Sequence, residues 1–489
     1  MMKCMKTTMT YIGALLMLGA LAFSCNKIEN QEQTPEETTQ TTAPVEMTFT
    51  TTMAAKDASS KAVDADGVTT WVVNEKIAVY YQKSDDSYGT ATANVDAVNA
   101  AGVATISALL TNAKNSSTVK FVYPASLVNA TGDDIDAAKL QANQHGTIAD
   151  ISANFDAATG SGTLVTDGST CGTDALVTLT NQLLIGKFTP KFSGAAIDKI
   201  MTLTVSDGTN TYTVTPTSGT FGTTGIYVAM LPVTSQVVSL TAETASASYI
   251  YPGKSVTLAA GKLYNNLAIS CSKLYTCSSS DWETKVSAFN ADESENPVLL
   301  FKTDISLSGS MIITRADGII DLGGKKLYIW AGNYIKGLWL QNDIEGKSIT
   351  VRNGTLSKML DGGDDTRCFA GTVIVEDLTF DGHIFTDGHP YVLTNVNFIN
   401  DCGSSRFENY YYYTYNQSPH TITIYSGKYN CTFNAGSYDS WLKGSVTIYG
   451  GKFRDNPSNI ANVTIPTGYS VKSNTDSDSA TYPYVVSAE

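Results

Sequence analysis

A short strand pattern recurs along the C-terminal part of this chain and constrains its fold more than any other feature. Two copies stand nearly alike, TITIYSGKYN at 421–430 and SVTIYGGKFR at 445–454. Ile422, Ile424, Gly427 and Tyr429 of the first return as Val446, Ile448, Gly451 and Phe453 of the second. The template is an apolar residue, a free one, an apolar one, two free, one variable, one free and a last apolar residue. It also fits Ile320, Leu322, Lys325 and Leu327, then Ile349, Val351, Gly354 and Leu356. Further copies are Val373, Val375, Leu378 and Phe380, then Tyr391, Leu393, Val396 and Phe398. The starts lie 29, 24, 18, 31 and 24 residues apart. One short strand cannot bury its apolar face alone, so the pattern must be stacked. A period in the twenties with irregular insertions predicts a parallel β-coil over 272–489, each turn laid on the one below. Alternation alone also suits another β-sandwich.

The chain has 489 residues, room for several domains. Its net charge is −14, and its five arginines, Arg315, Arg352, Arg367, Arg406 and Arg454, all lie late. Such a chain is a poor partner for nucleic acid. The first residues read as a targeting segment: Lys3 and Lys6, then the apolar run YIGALLMLGALAF, too short for a membrane span. The run ends in Leu21-Ala22-Phe23-Ser24-Cys25, which resembles a bacterial lipobox. That resemblance implies a signal peptide at 1–24 and a lipid (palmitate-type acylation) on Cys25; an ordinary secretory signal is the alternative. Residues 25–46 are too polar to bury and read as a disordered tether. Exported cysteines can pair, but the six remaining, Cys171, Cys271, Cys277, Cys368, Cys402 and Cys431, allow 15 pairings. At least two are expected to be single buried thiols. No metal or cofactor is expected.

Residues 47–271 read as antiparallel strands and turns. Alternating runs at 49–53, 69–82, 119–125, 183–192, 200–216, 225–233 and 255–270 carry the signal, with SDGTN a hairpin turn at 206–210. Such strands predict two stacked β-sandwich domains, 47–182 and 183–271. This region resembles the fimbrillins, a pilin family of Gram-negative anaerobes. The likeness lies in the Phe49 strand, Trp71 followed by Asn74-Glu75-Lys76-Ile77-Ala78-Val79-Tyr80, Tyr123-Pro124-Ala125, Leu183 to Phe188, and Ala260 to Tyr264. Asn74-Glu75 stands where that family usually has Gly-Asp. The resemblance implies transthyretin-like sandwiches and an outer-membrane lipoprotein built into a pilus. It also implies cleavage after a basic residue near the first strand, so that a neighbour's strand fills the gap. Without an arginine between Cys25 and Arg315, Lys56 and Lys61 are the candidates for a lysine cut; the alternative is a chain that stays uncut and lipid-anchored, or joins the pilus only at one end.

IIDLGGKKLYI at 319–329 resembles a rung of pectate-lyase-like right-handed β-helices, a class that often binds or cleaves polysaccharide. Asn342-Asp343, Asp364-Asp365 and Gly382-His383 loosely resemble the acidic run of polygalacturonases, in which carboxylates protonate the leaving group and hold the attacking water. If the chain were an enzyme, Asp343, Asp364, Asp365 and His383 would carry the chemistry. Asn342-Asp343 lacks the residue that separates the pair in that family, and no glycine follows His383, so the expectation is a non-enzyme. Tyr410, Tyr411, Tyr412, Tyr413 and Tyr415, with Tyr438 and Trp441, lie in insertions between rungs. A strand cannot bury both faces of such a run, so these rings are candidate ligand contacts, the alternative being a cover over the coil. The expected whole is an all-β, surface-exposed or fimbrial lipoprotein, an accessory or tip subunit that presents a right-handed β-helix as its binding head. Its expected partners are other pilus subunits by strand addition, a host glycan or protein receptor, and the membrane through Cys25. A polysaccharide lyase or hydrolase, and a glycan-capture lipoprotein, are the alternatives.

Overall fold

The computed structural model describes residues 44–55, 70–329, 337–340, 344, 346–361, 371–385, 390–399, 406–408, 410–411, 421–430, 432–434, 442–443 and 445–489. The chain divides into two units, Met1–Pro44 and Val45–Glu489, and all the described strands belong to the second. That unit is all-β, with three hydrophobic cores in chain order.

The first core is enclosed by β1 (Glu46–Met53), β2 (Lys76–Gln82), β3 (Tyr88–Val98), β4 (Ala104–Thr111), β5 (Thr118–Tyr123), β6 (Ala158–Asp167) and β7 (Thr170–Thr173). They pair in the order β5-β2-β3-β4-β1-β7-β6, and β6 returns to β5. In place of the two stacked sheets that the sequence predicts, the strands close into a seven-strand barrel. The reason is the length of β6. Its first half, Ala158 to Thr163, pairs with β5, and its second half, Leu164 to Asp167, pairs with β7. Closure leaves the ring without a free edge.

Between β5 and β6 lie α1 (Ala137–Leu140) and α2 (Ile148–Asp150). This insert does not pack on the barrel core. Leu127, Leu140, Ile151 and Phe155 enter the second core, upstream of residue 183, where the sequence places the start of that domain. The buried Gln144 pins the insert: its amide donates to Leu140 O (2.7 Å) and Ala229 O (2.9 Å) and accepts from Ala229 N (2.8 Å).

The second core lies between two sheets. After β8 (Thr180–Asn181) come β9 (Leu184–Phe192), β10 (Ala195–Ala196), β11 (Thr202–Ser206), β12 (Thr211–Val214), β13 (Ile226–Met230), β14 (Val233–Glu243), β15 (Ser248–Leu258), β16 (Leu263–Ser270) and β17 (Ser272–Cys277). β9 pairs with β10, β13 and β16; the facing sheet runs β12-β11-β14-β15-β17. The hairpin expected at SDGTN is there, with Ser206 opposite Thr211. Asp207 closes it by accepting from Thr209 N (2.9 Å) and Asn210 N (2.6 Å). Burial raises the Asp207 carboxyl, but the hydrogen bonds from Asn210, Thr209 and Tyr212 outweigh it and hold the group below the usual carboxylate range.

β17 joins the second core to the third. It is antiparallel to β15 on one side and parallel to Val298–Phe301 on the other, so one sheet runs from the sandwich into the coil. The coil is built of parallel ladders. One stacks Ile320, Val351, Val375, Leu393, Ile424 and Ile448. A second stacks Leu327, Leu356, Phe380, Phe398, Tyr429 and Phe453. The last four rings form a continuous aromatic column, with centroids 5.1, 5.7 and 5.0 Å apart. A third ladder, not foreseen, runs through Leu338–Leu340, the ends of Ser348–Asp361 and Thr372–Phe385, Arg406–Glu408 and Thr432–Asn434.

The repeated strand therefore exists to stack on itself, and its glycine has a steric cause. Gly427 has φ +132°, and a Cβ there would lie 2.1 Å from the Val396 carbonyl oxygen. One rung departs from the template. The sequence aligns Ile320 with Ile349; the structure pairs Ile320 with Val351. The corner after Ile320 carries two more residues than the corner after Val351, taken up at Gly323 and Gly324, both with positive φ.

Both ends of the coil are covered. At the start, the helix Trp282–Asn290 places Val286 and Phe289 in the coil core. The buried Arg315 ties it down, donating to Phe289 O (2.9 Å), Asp292 O (2.6 Å), Ser294 O (2.9 Å) and Asp317 Oδ1 (2.6 Å). At the far end, Tyr469–Ser473 and Tyr484–Ala488 form an antiparallel hairpin, and the latter strand pairs with Gly451–Phe453.

Candidate functional site: the first strand and the outer faces of the coil

β1 is the only strand of the barrel that lies before the Lys56–Lys61 stretch. Its alternation is strict: Phe49, Thr51 and Met53 are buried, while Thr48, Thr50 and Thr52 face out. It is antiparallel to β4 along its whole length, Glu46 opposite Thr111 through Met53 opposite Ala104. On its other side it is parallel to β7 only at Thr48 and Phe49. Thr48 N donates to Ser169 O (2.9 Å), Val177 N to Thr52 O (3.0 Å) and Ala54 N to Val177 O (2.7 Å). The Thr51 and Thr173 hydroxyls also hydrogen-bond. Gly172 makes room for this strand, since a Cβ there would meet Thr50 O at 2.6 Å.

The side chains of β1 plug the barrel. Phe49 and Met53 have no exposed surface, and the Phe49 ring lies 6.1 Å from that of Phe121. Cys171 on β7 stands opposite Phe49 in the ladder. It is buried, and burial pushes its thiol up to about 11. Cys171, Cys271 and Cys277 are all free and buried, as expected for at least two of the cysteines. Trp71, buried just beyond the 56–69 segment, donates its indole N–H to Ala54 O at 2.8 Å. The two ends of that segment are thus held together at the mouth of the slot.

Among the residues singled out from sequence, Cys25, Lys56, Lys61, Asp343, Asp364, Asp365, Tyr412, Tyr413, Tyr415, Tyr438 and Trp441 lie outside the described residues. His383 falls on the strand Thr372–Phe385, opposite Met359 in the third ladder. Tyr410 and Tyr411 form a short strand opposite Lys443 and Leu442. That pairing brings together the two insertions that carry the aromatic candidates. Part of the first insertion is itself a rung, since Arg406–Glu408 pairs with Thr432–Asn434.

Sequence reading missed a second tyrosine column on the outer face of the first ladder. Tyr425, 51 % exposed, stacks on Tyr449 at 5.2 Å and 19°. Tyr449 meets Tyr469 of the terminal hairpin edge-on at 5.3 Å. Their place just after Ile424 and Ile448 in the repeat was the available signal. Tyr425 and Tyr449 offer faces to each other, and Tyr449 and Tyr469 meet face to edge. Two rungs' lysines also look outward, and the loop between the hairpin strands neutralises them. Lys428 reaches Asp478 at 2.9 Å, and Lys452 reaches Asp476 at 2.7 Å and Asp478 at 2.8 Å. Among the described residues no cluster of His, Cys, Asp and Glu is arranged to hold a metal.

No family model and no curated protein matches this sequence. Solved structures give distant likenesses. A fimbrial protein from Bacteroides ovatus is 11% identical with a TM-score of 0.24, over 47% of this chain and 50% of that one. A fimbrial assembly protein from Parabacteroides distasonis is 11% identical with a TM-score of 0.26, over 47% of this chain and 91% of that one. The tip fimbrial protein Mfa3 from Porphyromonas gingivalis is 12% identical with a TM-score of 0.21, over 42% of this chain and 81% of that one.

Proposed function

We propose that this chain is an adhesive accessory or tip subunit of a fimbrium, held at the outer membrane through a lipid on Cys25. It joins other subunits by strand addition and presents its coil as a binding head for a host glycan or protein receptor. The observation that carries this reading is the position of β1. It is the first described strand, paired on both edges, with three buried side chains, and it precedes a segment that holds Lys56 and Lys61. Removing it would leave unpaired edges on β4 and β7 around an apolar slot, which is the template for strand addition. A transthyretin-like fold for the two N-terminal domains belongs to the same reading. So does a right-handed β-helix for the coil, because parallel crossovers between neighbouring strands are almost always right-handed. The head is continuous with the second sandwich through β17, so load on the head would pass into the stalk through backbone hydrogen bonds.

The head works by binding, without cleavage. Incubation with a panel of polysaccharides is expected to give retention but no new chain ends. New ends that vanish in Asp364→Asn would make it an enzyme instead. Strand addition itself is tested with one specific protease site placed between Lys56 and Lys61. After cleavage, excess synthetic peptide of sequence EMTFTTTM should replace the cut strand and restore the melting temperature of the uncut protein. A barrel that unfolds on cleavage and takes up no peptide would contradict the proposal.

A further inference from the structure

A cleft of about 600 Å³ opens beside the insert that crosses from the barrel to the second core. Its size falls within the range of small-molecule sites, and all its lining residues come from the insert itself, 126–155. Leu127 and Phe155, both buried, form an apolar floor. Lys139, Asn143, His145 and Asn154 form a polar wall.

Hydrogen bonds hold three of these groups, Lys139, His145 and Asn154. Gln144, with no exposed surface and three hydrogen bonds, locks the loop next to His145. His145 Nδ1 lies 3.1 Å from Thr215 O. A carbonyl can only accept, so Nδ1 carries the hydrogen of that bond. Asp150 accepts from His145 N (2.7 Å) through one oxygen and from the Asn154 amide (2.9 Å) through the other. The Asn154 carbonyl oxygen is thereby turned away from Asp150. Lys139, which lines the cleft, donates to Val128 O at 2.6 Å and keeps two further donors. Among the described residues that line the cleft, Lys139 alone carries a full charge, in a chain of net charge −14. Acceptors and amides that share one cleft with a cation, and with the buried Leu127 and Phe155, suit a polyol ring that carries a carboxylate.

We propose that this cleft binds an acidic monosaccharide unit, its carboxylate on Lys139 and its hydroxyls on His145, Asn143 and Asn154. The proposal stands apart from strand addition and from the coil, and neither failure would touch the other. The test is calorimetric titration of the full chain in mild detergent with D-glucuronate and with D-glucose at low ionic strength. D-glucuronate is expected to bind about tenfold or more tightly than D-glucose, the worth of one charge-assisted hydrogen bond. Lys139→Met should abolish that preference and leave the melting temperature unchanged, since Lys139 is exposed. Asn143→Ala, also exposed, should weaken both sugars, and His145→Gln should do the same. Equal affinity for the two sugars, binding that Lys139→Met does not alter, or no binding of either sugar would overturn the proposal.

Discussion

Gly427 shows how much of this fold is set by single positions. Its φ of +132°, with Val396 O only 2.1 Å from the place a Cβ would take, excludes any other residue without backbone movement. Gly427→Ala is expected to destabilise the coil by roughly 1–3 kcal/mol, the usual cost of forcing a side chain into such a conformation. Thermal melting of the variant checks this. Asp133 is a second informative residue. Hydrogen bonds from Thr131, Lys120 and Asn129 hold its carboxyl at about 2, below the ordinary 3.8. A depressed carboxyl stabilises the fold above its unfolded value, and the contribution is lost as pH falls from about 4 through about 2. Asp133→Asn should therefore lower stability modestly at neutral pH, flatten the stability curve between about pH 4 and about pH 2, and cost little below that window, as read by denaturant titration at several pH values.

At the scale of elements, the ladders were legible because their inward residues are separated by a fixed count along each rung. Ile422, Ile424 and Tyr429 could be placed for that reason, and they stack on Val446, Ile448 and Phe453. The register of Ile320 was misplaced where Gly323 and Gly324 lengthen one corner, since a template of fixed spacing cannot absorb an added pair. The third ladder escaped notice because its strands are short and their spacing from the other two varies. Closure of the barrel was also not legible. It depends on β6 dividing its length between two partners, and nothing in its alternation marks the dividing point. For the candidate site, the alternation of Phe49, Thr51 and Met53 was readable, but the pairing of β1 on both edges was not. The terminal hairpin covers the last rung, where open strand edges would otherwise invite pairing between molecules. Deleting residues 469–489 should leave the two N-terminal cores folded and make the chain self-associate, which sedimentation velocity would detect.

At the scale of the whole molecule, three cores follow one another along the chain, and a continuous sheet joins the second to the third. The first is plugged by its first described strand, β1, and the proposed assembly requires that this strand be exchangeable. Cys171 reports on that plug, because it faces Phe49 across the ladder and is shielded by it, whereas Cys271 and Cys277 belong to the other cores. The most direct measurement is maleimide labelling, mapped by mass spectrometry to the peptide that contains Cys171. It would be run on the uncut chain, on the chain cut between Lys56 and Lys61 with β1 removed, and on the cut chain refilled with EMTFTTTM peptide. An exchangeable strand predicts slow labelling, then fast labelling, then slow labelling again, with Cys271 and Cys277 protected throughout. Labelling of all three thiols together once β1 is removed would contradict it, for β1 would then be part of an indivisible core rather than a replaceable strand.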